Sequence, residues 1–318
     1  MHNAPSACSA PFQARSWKRT LNRSGKPAVR GSDGCALEMR KRFRAIESAS
    51  AIGYEQCMIE RRQLEVVRSE GFCVVPGLVH RDEIGQFEQN IGDLVSTFQS
   101  GGPDPNFRED PFVNLFANDR KSRDLLFSSM ERLAILHRIS ARIEDDLRRQ
   151  GFFEWTGMRV PLVWPDLRVD LPWTSRGLLP VHQDYKSAKA TTAFRLWIAL
   201  RPANEEFGSM CLYPGTHRQG PVTHDLEEPA RPRIPPDLYD ETEKVILDLP
   251  AGDGVLIDPL LFHASVPNRS SRTKFTLMIQ LQDLATLILP GDPRYASFEQ
   301  SLNTRLAAEQ ALVEHQQQ

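Results

Sequence analysis

The chain is short of the features that would assign it quickly. Its five cysteines, Cys8, Cys35, Cys57, Cys73 and Cys211, are odd in number and never spaced as C-x-x-C. That pattern indicates neither a disulfide framework nor a thiolate zinc site, and a reducing compartment is expected. No run approaches the ~18 uninterrupted apolar residues of a membrane span, and the first residues lack the apolar core of a secretory signal. The expectation is therefore a cytoplasmic protein with no membrane partner. An excess of one charge is missing too. Lys and Arg number 39 against 41 Asp and Glu, a formal net charge of -2, which gives no global attraction to nucleic acid or to an anionic surface. The composition, 40% hydrophobic and 25% charged over 318 residues, is that of an ordinary globular chain whose partners are small, local ligands. Nothing in it speaks to oligomeric state.

Residues 1–45 hold ten Lys or Arg but only Asp33 and Glu38 as acids, with scattered Gly, Ser and Pro and no apolar period. Such a segment cannot bury enough surface to offset its ordering entropy, so it reads as a disordered extension. An Arg-rich, acid-poor start also resembles an organellar transit peptide. A dispensable extension, or a start called too early with Met39 or Met58 as the true beginning, is the favoured reading. Residues 46–318 are expected to form one domain.

Within that domain helical spacing covers Ile52 to Arg68, Arg81 to Gln99 and Arg123 to Arg149, with Gly71 breaking the first before the β-rich Phe72 to Val75. Past Gly151 the texture becomes short apolar runs between turn residues: Met158 to Val163, Phe194 to Leu200, Met210 to Tyr213, Val245 to Leu249, Val255 to Ile257 and Lys274 to Leu281. This predicts an antiparallel sandwich or barrel with flanking helices. Tyr295 to His315 reads as a closing amphipathic helix.

The residues with most to say about chemistry are His182-Gln183-Asp184. In an extended strand the first and third project to the same side, so an imidazole and a carboxylate can grip one metal ion. A second histidine would complete the two-histidine, one-carboxylate face that non-heme Fe(II) oxygenases use, leaving the opposite positions free. His217, His224 and His263 are the candidates. His217 follows the turn sequence Pro214-Gly215-Thr216 and suits a backbone-bonded turn histidine, His224 lies in a polar stretch that suggests an exposed loop, and His263 follows the apolar run Leu260 to Phe262. Asp253 and Asp258 compete as carboxylates, but Gly252-Asp253-Gly254 and Asp258-Pro259 are explained as turns.

The surroundings repeat an ordered series: EGFCVVPG (Glu70 to Gly77), LPVHQD (Leu179 to Asp184), LWIAL (Leu196 to Leu200), Gly208, PGTH (Pro214 to His217), AGDGVLID (Ala251 to Asp258) and HASVPN (His263 to Asn268). It resembles the phytanoyl-CoA dioxygenase family of Fe(II)/2-oxoglutarate oxygenases over roughly residues 60–285. The resemblance implies a double-stranded β-helix, that is, a cupin-like jelly roll, with His182, Asp184 and His263 as metal and catalytic residues. It implies Fe(II), 2-oxoglutarate and dioxygen as cofactor and co-substrates. A related halogenase carries a small residue in place of the carboxylate, so the retained Asp184 argues for hydroxylation or a similar oxidation over halogenation.

A bound 2-oxo acid needs its remote carboxylate neutralised. After His263, residues Arg272, Lys274, Thr276, Met278 and Gln280 alternate as a largely polar face with Thr273, Phe275, Leu277, Ile279 and Leu281 as an apolar one. The register at which the family carries an arginine falls on Lys274, while Arg272 has the preferred chemistry. The resemblance also places Ser265 and Trp197 in the 2-oxoglutarate pocket. Arg159, Arg168, Lys186, Lys189 and Arg195, with Trp164 and Trp173, flank the H-x-D and could receive an anionic small molecule, although a solvated surface explains most of these charges. The rival readings are a jelly-roll metalloenzyme that does not use 2-oxoglutarate and a non-catalytic ligand-binding barrel.

Overall fold

A computed structural model describes residues 59–98, 112, 120–174, 178–185, 187–224 and 233–289. The readings of the amino-terminal segment, of Lys186 and of the Tyr295 to His315 helix lie outside these residues.

Among the described residues the first helix is α1 (Arg61–Glu70), which buries Leu64 and Val67 and starts with a reciprocal capping box between Glu60 and Gln63; the Ile52 to Met58 part of the expected helix lies outside the described residues. Gly71 ends it with φ 90°, where its N–H donates to the Val67 carbonyl. A Cβ there would lie 2.6 Å from Leu261 Cδ1 and 2.7 Å from His217 Nδ1, so the position requires glycine for both conformation and space. The chain turns directly into β1 (Phe72–Val75). Next comes α2 (Arg81–Phe98), with Phe87, Ile91 and Val95 inward as the spacing predicts. The reading of one or two helices before Arg149 resolves into two, α3 (Arg120–Met130) and α4 (Ala134–Arg149), followed by the short α5 (Phe152–Thr156). Arg142 of α4 holds Glu83 of α2 through two hydrogen bonds of 2.8 Å and donates to the Leu78 carbonyl at 2.7 Å.

The strands that follow are β2 (Pro161–Asp170), β3 (Ala193–Ala199), β4 (Ser209–Leu212), β5 (Val245–Ile246), β6 (Gly254–Ile257), β7 (His263–Val266) and β8 (Lys274–Asp283). They form two antiparallel sheets, one of five strands in the order β1-β6-β3-β8-β2 and one of three in the order β5-β4-β7. This is the mainly β, jelly-roll architecture with flanking helices. The sequence reading stopped the second strand at Val163. The strand runs on to Asp170 because its later residues pair with β8 in unbroken register, from Pro161 opposite Asp283 to Asp170 opposite Lys274.

The larger sheet divides its side chains by parity. Phe275, Leu277, Ile279 and Leu281 of β8 join Leu196 and Ile198 of β3 and Leu167 of β2 in one core with the apolar faces of α1, α2 and α4. Phe275 is the hub: it meets Phe87 and Phe112 edge to face at 5.4 and 5.3 Å, and the Arg201 guanidinium lies 4.6 Å from its ring. The other parity faces away from this core and carries the strands' polar residues, Asp166, Arg168 and Asp170 of β2, Lys274, Thr276, Gln280 and Gln282 of β8 and Arg195 of β3. A smaller cluster of Val181, Cys211, Tyr213, Ile234 and Phe262 backs the three-stranded sheet.

Candidate metal and co-substrate site

The two halves of the histidine motif, far apart in sequence, meet through a backbone bridge. The His182 N–H donates to the His263 carbonyl at 2.9 Å, and the His263 N–H returns to the His182 carbonyl at 3.1 Å. Between His182 and Asp184 the intervening Gln183 points the other way. Its amide donates to the Gly220 and Leu260 carbonyls and accepts from the Val222 N–H. The H-x-D spacing thus works as alternation predicts, with the middle residue tying down neighbouring loops.

Each imidazole is oriented by its own backbone. His182 Nδ1 donates to the Pro180 carbonyl at 2.8 Å and His263 Nδ1 to the Leu261 carbonyl at 2.9 Å. Since a carbonyl can only accept, these bonds place the proton on Nδ1 and leave both Nε2 atoms as lone-pair donors. The two rings sit 4.2 Å apart, with His182 Nε2 3.5 Å from Asp184 Oδ1 and His263 Nε2 3.8 Å from Asp184 Oδ2. The three ligand atoms lie within 4.8 Å of one another. Two lone pairs and a carboxylate brought this close together suit a divalent cation. Burial opposes ionisation of Asp184, but His263, His182 and Arg195 outweigh it and hold this carboxyl well below the usual carboxylate range. At His263, burial and then the neighbouring His182 push the imidazole down to about 4 against the pull of Asp184.

The competing residues are occupied elsewhere. His217 Nε2 bonds to the Arg68 carbonyl at 3.0 Å, the backbone-bonded turn role expected of it. His224, read as an exposed loop residue, is instead buried. Its Nε2 accepts from the Gln183 N–H at 2.9 Å and its Nδ1 meets the Val222 carbonyl, so it locks the far side of the H-x-D turn. Asp253 accepts from the Gly77 N–H and Asp258 from the Leu260 N–H, both as turn residues.

Beyond the histidines lies a second cluster. Lys274 is buried, with Nζ 2.8 Å from Asp170 Oδ2 and 5.2 Å from the Trp197 ring centroid. Arg168, opposite Thr276 on β2, donates through Nε to Asp170 Oδ1 at 2.9 Å and through Nη2 to Ser265 Oγ at 3.1 Å. Lys274, Ser265 and Trp197 are therefore brought together, whereas Arg272 is exposed in the turn before β8 and stays outside the cluster. Two residues missed as a pair, Arg168 and Asp170, complete it. Burial pulls the Lys274 ammonium below its ordinary value with Asp170 opposing, while Lys274 and Arg168 together overcome burial to keep Asp170 ionised. Of the other flanking charges Arg159 and Lys189 are exposed as expected, but Arg195 is buried beside Asp184.

A jelly roll that gathers two imidazoles and a carboxylate at one point, with a cationic cluster beyond them, defines a class: the 2-oxoglutarate-dependent non-heme iron oxygenases. The model of the family "Phytanoyl-CoA dioxygenase (PhyH)" matches residues 67–276, and the chain belongs to that family. Its metal is iron and its co-substrate 2-oxoglutarate. The phytanoyl-CoA dioxygenase of Arabidopsis thaliana is 23% identical over 244 residues, which is 67% of this chain and 84% of that protein. Among solved structures, EvdO2 of Micromonospora carbonacea var. aurantiaca, complexed with 2-oxoglutarate, is 18% identical with a TM-score of 0.47, covering 74% of this chain and 96% of its own. AviO1 of Streptomyces viridochromogenes Tue57 is 21% identical with a TM-score of 0.43, covering 74% and 100%. Among the described residues no helix is long and apolar enough to cross a membrane.

Proposed function

We propose that the chain hydroxylates a polar small molecule, with His182, Asp184 and His263 holding Fe(II) and the Arg168 cluster holding 2-oxoglutarate. The observation that carries the metal assignment is the pair of Nε2 lone pairs facing the Asp184 carboxylate, each fixed by a carbonyl behind it. When bound, iron would use dioxygen as the oxidant: one oxygen atom would enter the substrate C–H bond and the other the succinate formed as 2-oxoglutarate loses carbon dioxide.

The chain's own residues then have separable tasks. The two backbone carbonyls hold both imidazole rings in place with Nε2 turned towards Asp184. Arg168, lying against Ser265, receives the remote carboxylate of 2-oxoglutarate with the fork geometry that a lysine lacks. Lys274 adds charge from the floor of the pocket, held by Asp170, and Trp197 walls that end against water. Towards the other end, the cross-strand set Trp164, Gln280 and Arg195 and the neighbouring Asp166 and Gln282 bring hydrogen-bonding groups to the same face. An acyl chain would have to strip water from these groups without replacing their bonds, which favours a substrate with several polar groups.

Anaerobic mixing of the metal-free protein with Fe(II) and 2-oxoglutarate tests the reading. A visible charge-transfer band from a chelated 2-oxo acid is expected, and it should vanish in His182→Ala, Asp184→Ala and His263→Ala while persisting in His217→Ala. A colourless wild-type mixture would point instead to a jelly-roll metalloenzyme that does not use 2-oxoglutarate.

A further inference from the structure

Arg195 stands on β3 two residues before Trp197, between Gln280 of β8 and Ile257 of β6, and its side chain is 5% exposed. A guanidinium cannot shed its charge on burial, so it must find acceptors. Nη2 donates to Ser187 Oγ at 2.6 Å, and Nε lies 3.3 Å from Asp184 Oδ2 without reaching it, or any other acceptor, in hydrogen-bonding geometry. Ser187 Oγ in turn donates to the Asp184 carbonyl at 2.8 Å. Guanidinium, hydroxyl and main chain are therefore linked by hydrogen bonds at one residue, with a buried N–H beside its carboxylate still lacking an acceptor.

We propose that Arg195 is a positioning residue that holds Oδ2 of Asp184, so that the carboxylate offers only Oδ1 to the metal. The proposal rests on the metal assignment made above. A carboxylate can bind a divalent ion through one oxygen or two, and the two-oxygen mode takes up a position that a chelating co-substrate or dioxygen needs. Oδ1 lies 3.5 Å from His182 Nε2, whereas Oδ2 lies between His263 Nε2 at 3.8 Å and Arg195 Nε at 3.3 Å, so both oxygens are within reach of one ion unless the guanidinium holds Oδ2. A charge-assisted hydrogen bond from Nε to Oδ2 would fix the carboxylate plane and make that oxygen a poorer ligand. Because Ser187 pins the guanidinium to the turn that carries Asp184, clamp and ligand move together. The same buried positive charge also opposes entry of a cation. Removing it should therefore act in opposite directions on metal and on co-substrate, an outcome that simple loss of packing would not produce.

The test uses the full-length, metal-free protein titrated with Co(II) and followed by ligand-field absorption, after which 2-oxoglutarate is titrated into the Co(II) protein. In Arg195→Gln and Arg195→Ala the Co(II) affinity should be kept or tightened while 2-oxoglutarate binding weakens by about tenfold, the effect of one hydrogen-bonded charge contact. The exposed Ser187→Ala, which removes only the pin, should shift both quantities in the same directions by less. It decides the matter if the arginine variants do not fold. Weakened Co(II) binding, or unchanged 2-oxoglutarate affinity in well-folded variants, overturns the clamp. If wild type binds Co(II) and 2-oxoglutarate and His263→Ala does not, the metal assignment survives that result. If wild type binds neither, the assignment and the clamp fall together.

Discussion

Asp170 sets the character of the co-substrate end. A buried Lys274 without a partner would be costly, and a lone Arg168 would swing freely; one carboxylate between them, 2.8 and 2.9 Å away, orders both. Lys274 and Arg168 share this one carboxylate, and in the proposed reading the pair receives the remote carboxylate of 2-oxoglutarate. In that reading Arg168, which also reaches Ser265, is the member that meets the 2-oxoglutarate carboxylate. Arg168→Ala should raise the 2-oxoglutarate KM by roughly ten- to a hundredfold, the loss of about 1.5–3 kcal/mol for a charged hydrogen bond. Lys274→Ala should raise it less and cost more in stability, because Asp170 then keeps only one partner. Titrating 2-oxoglutarate and unfolding each variant in urea separates the two, and a larger KM effect at Lys274 would return the main role to it. At Cys73 of β1, burial pushes the thiol up to about 11, so its thiolate is scarce at pH 8 and becomes available only as pH rises towards that value. Peptide-resolved iodoacetamide labelling of native protein at pH 8 should find Cys73 unmodified until denaturant is added.

At the scale of elements, the turn from α1 into β1 is the least forgiving joint. Gly71 takes a left-handed conformation against Leu261 and His217, and its carbonyl accepts the Asp258 N–H at 2.8 Å. Gly71→Ala should cost about 1–3 kcal/mol through conformation alone, with the contact adding to it; a thermal melt with no shift would contradict this. The helices here were legible because Ile84, Phe87, Ile91 and Val95 repeat at helical spacing, and the strand β8 because its polar and apolar residues alternate cleanly. β2 was legible only as far as Val163. Its continuation places Pro165, Asp166, Arg168 and Asp170 among apolar residues, and polar groups that line an interior look locally like groups that meet solvent. The pairing of Asp170 with Lys274 is a property of strand register, which no local pattern contains. For the same reason Arg168 read as a flanking charge and His224 as an exposed one, while His182, Asp184 and His263 came through because their spacing and the motifs around them are local.

On the scale of the described domain, one sheet carries the main core on one face and the polar residues of the proposed site on the other. Phe275 joins β8 to Phe87 of α2 and to Phe112, and Arg201 holds Glu88 of α2 through bonds of 2.6 and 2.7 Å while stacking on the same ring. Phe275→Ala should cost about 3–5 kcal/mol, the range for deleting a buried aromatic. Equilibrium urea unfolding should show a lower midpoint with an unchanged slope, and a loss below 1 kcal/mol would mean this core is far softer than its packing indicates. From the division of β8 a rule for sequence change follows. Met278 and Gln280, on the face away from the helices and beyond the Lys274 cluster, can be exchanged to suit a new substrate, and the odd-numbered residues can be repacked without touching the chemistry. An insertion or deletion of one residue early in β8 would exchange the two sets, sending Lys274 towards the helices and Phe275 towards the metal. This stretch should therefore vary by substitution alone: libraries with single-residue length changes there should return no folded members, while those confined to Met278 and Gln280 should return many.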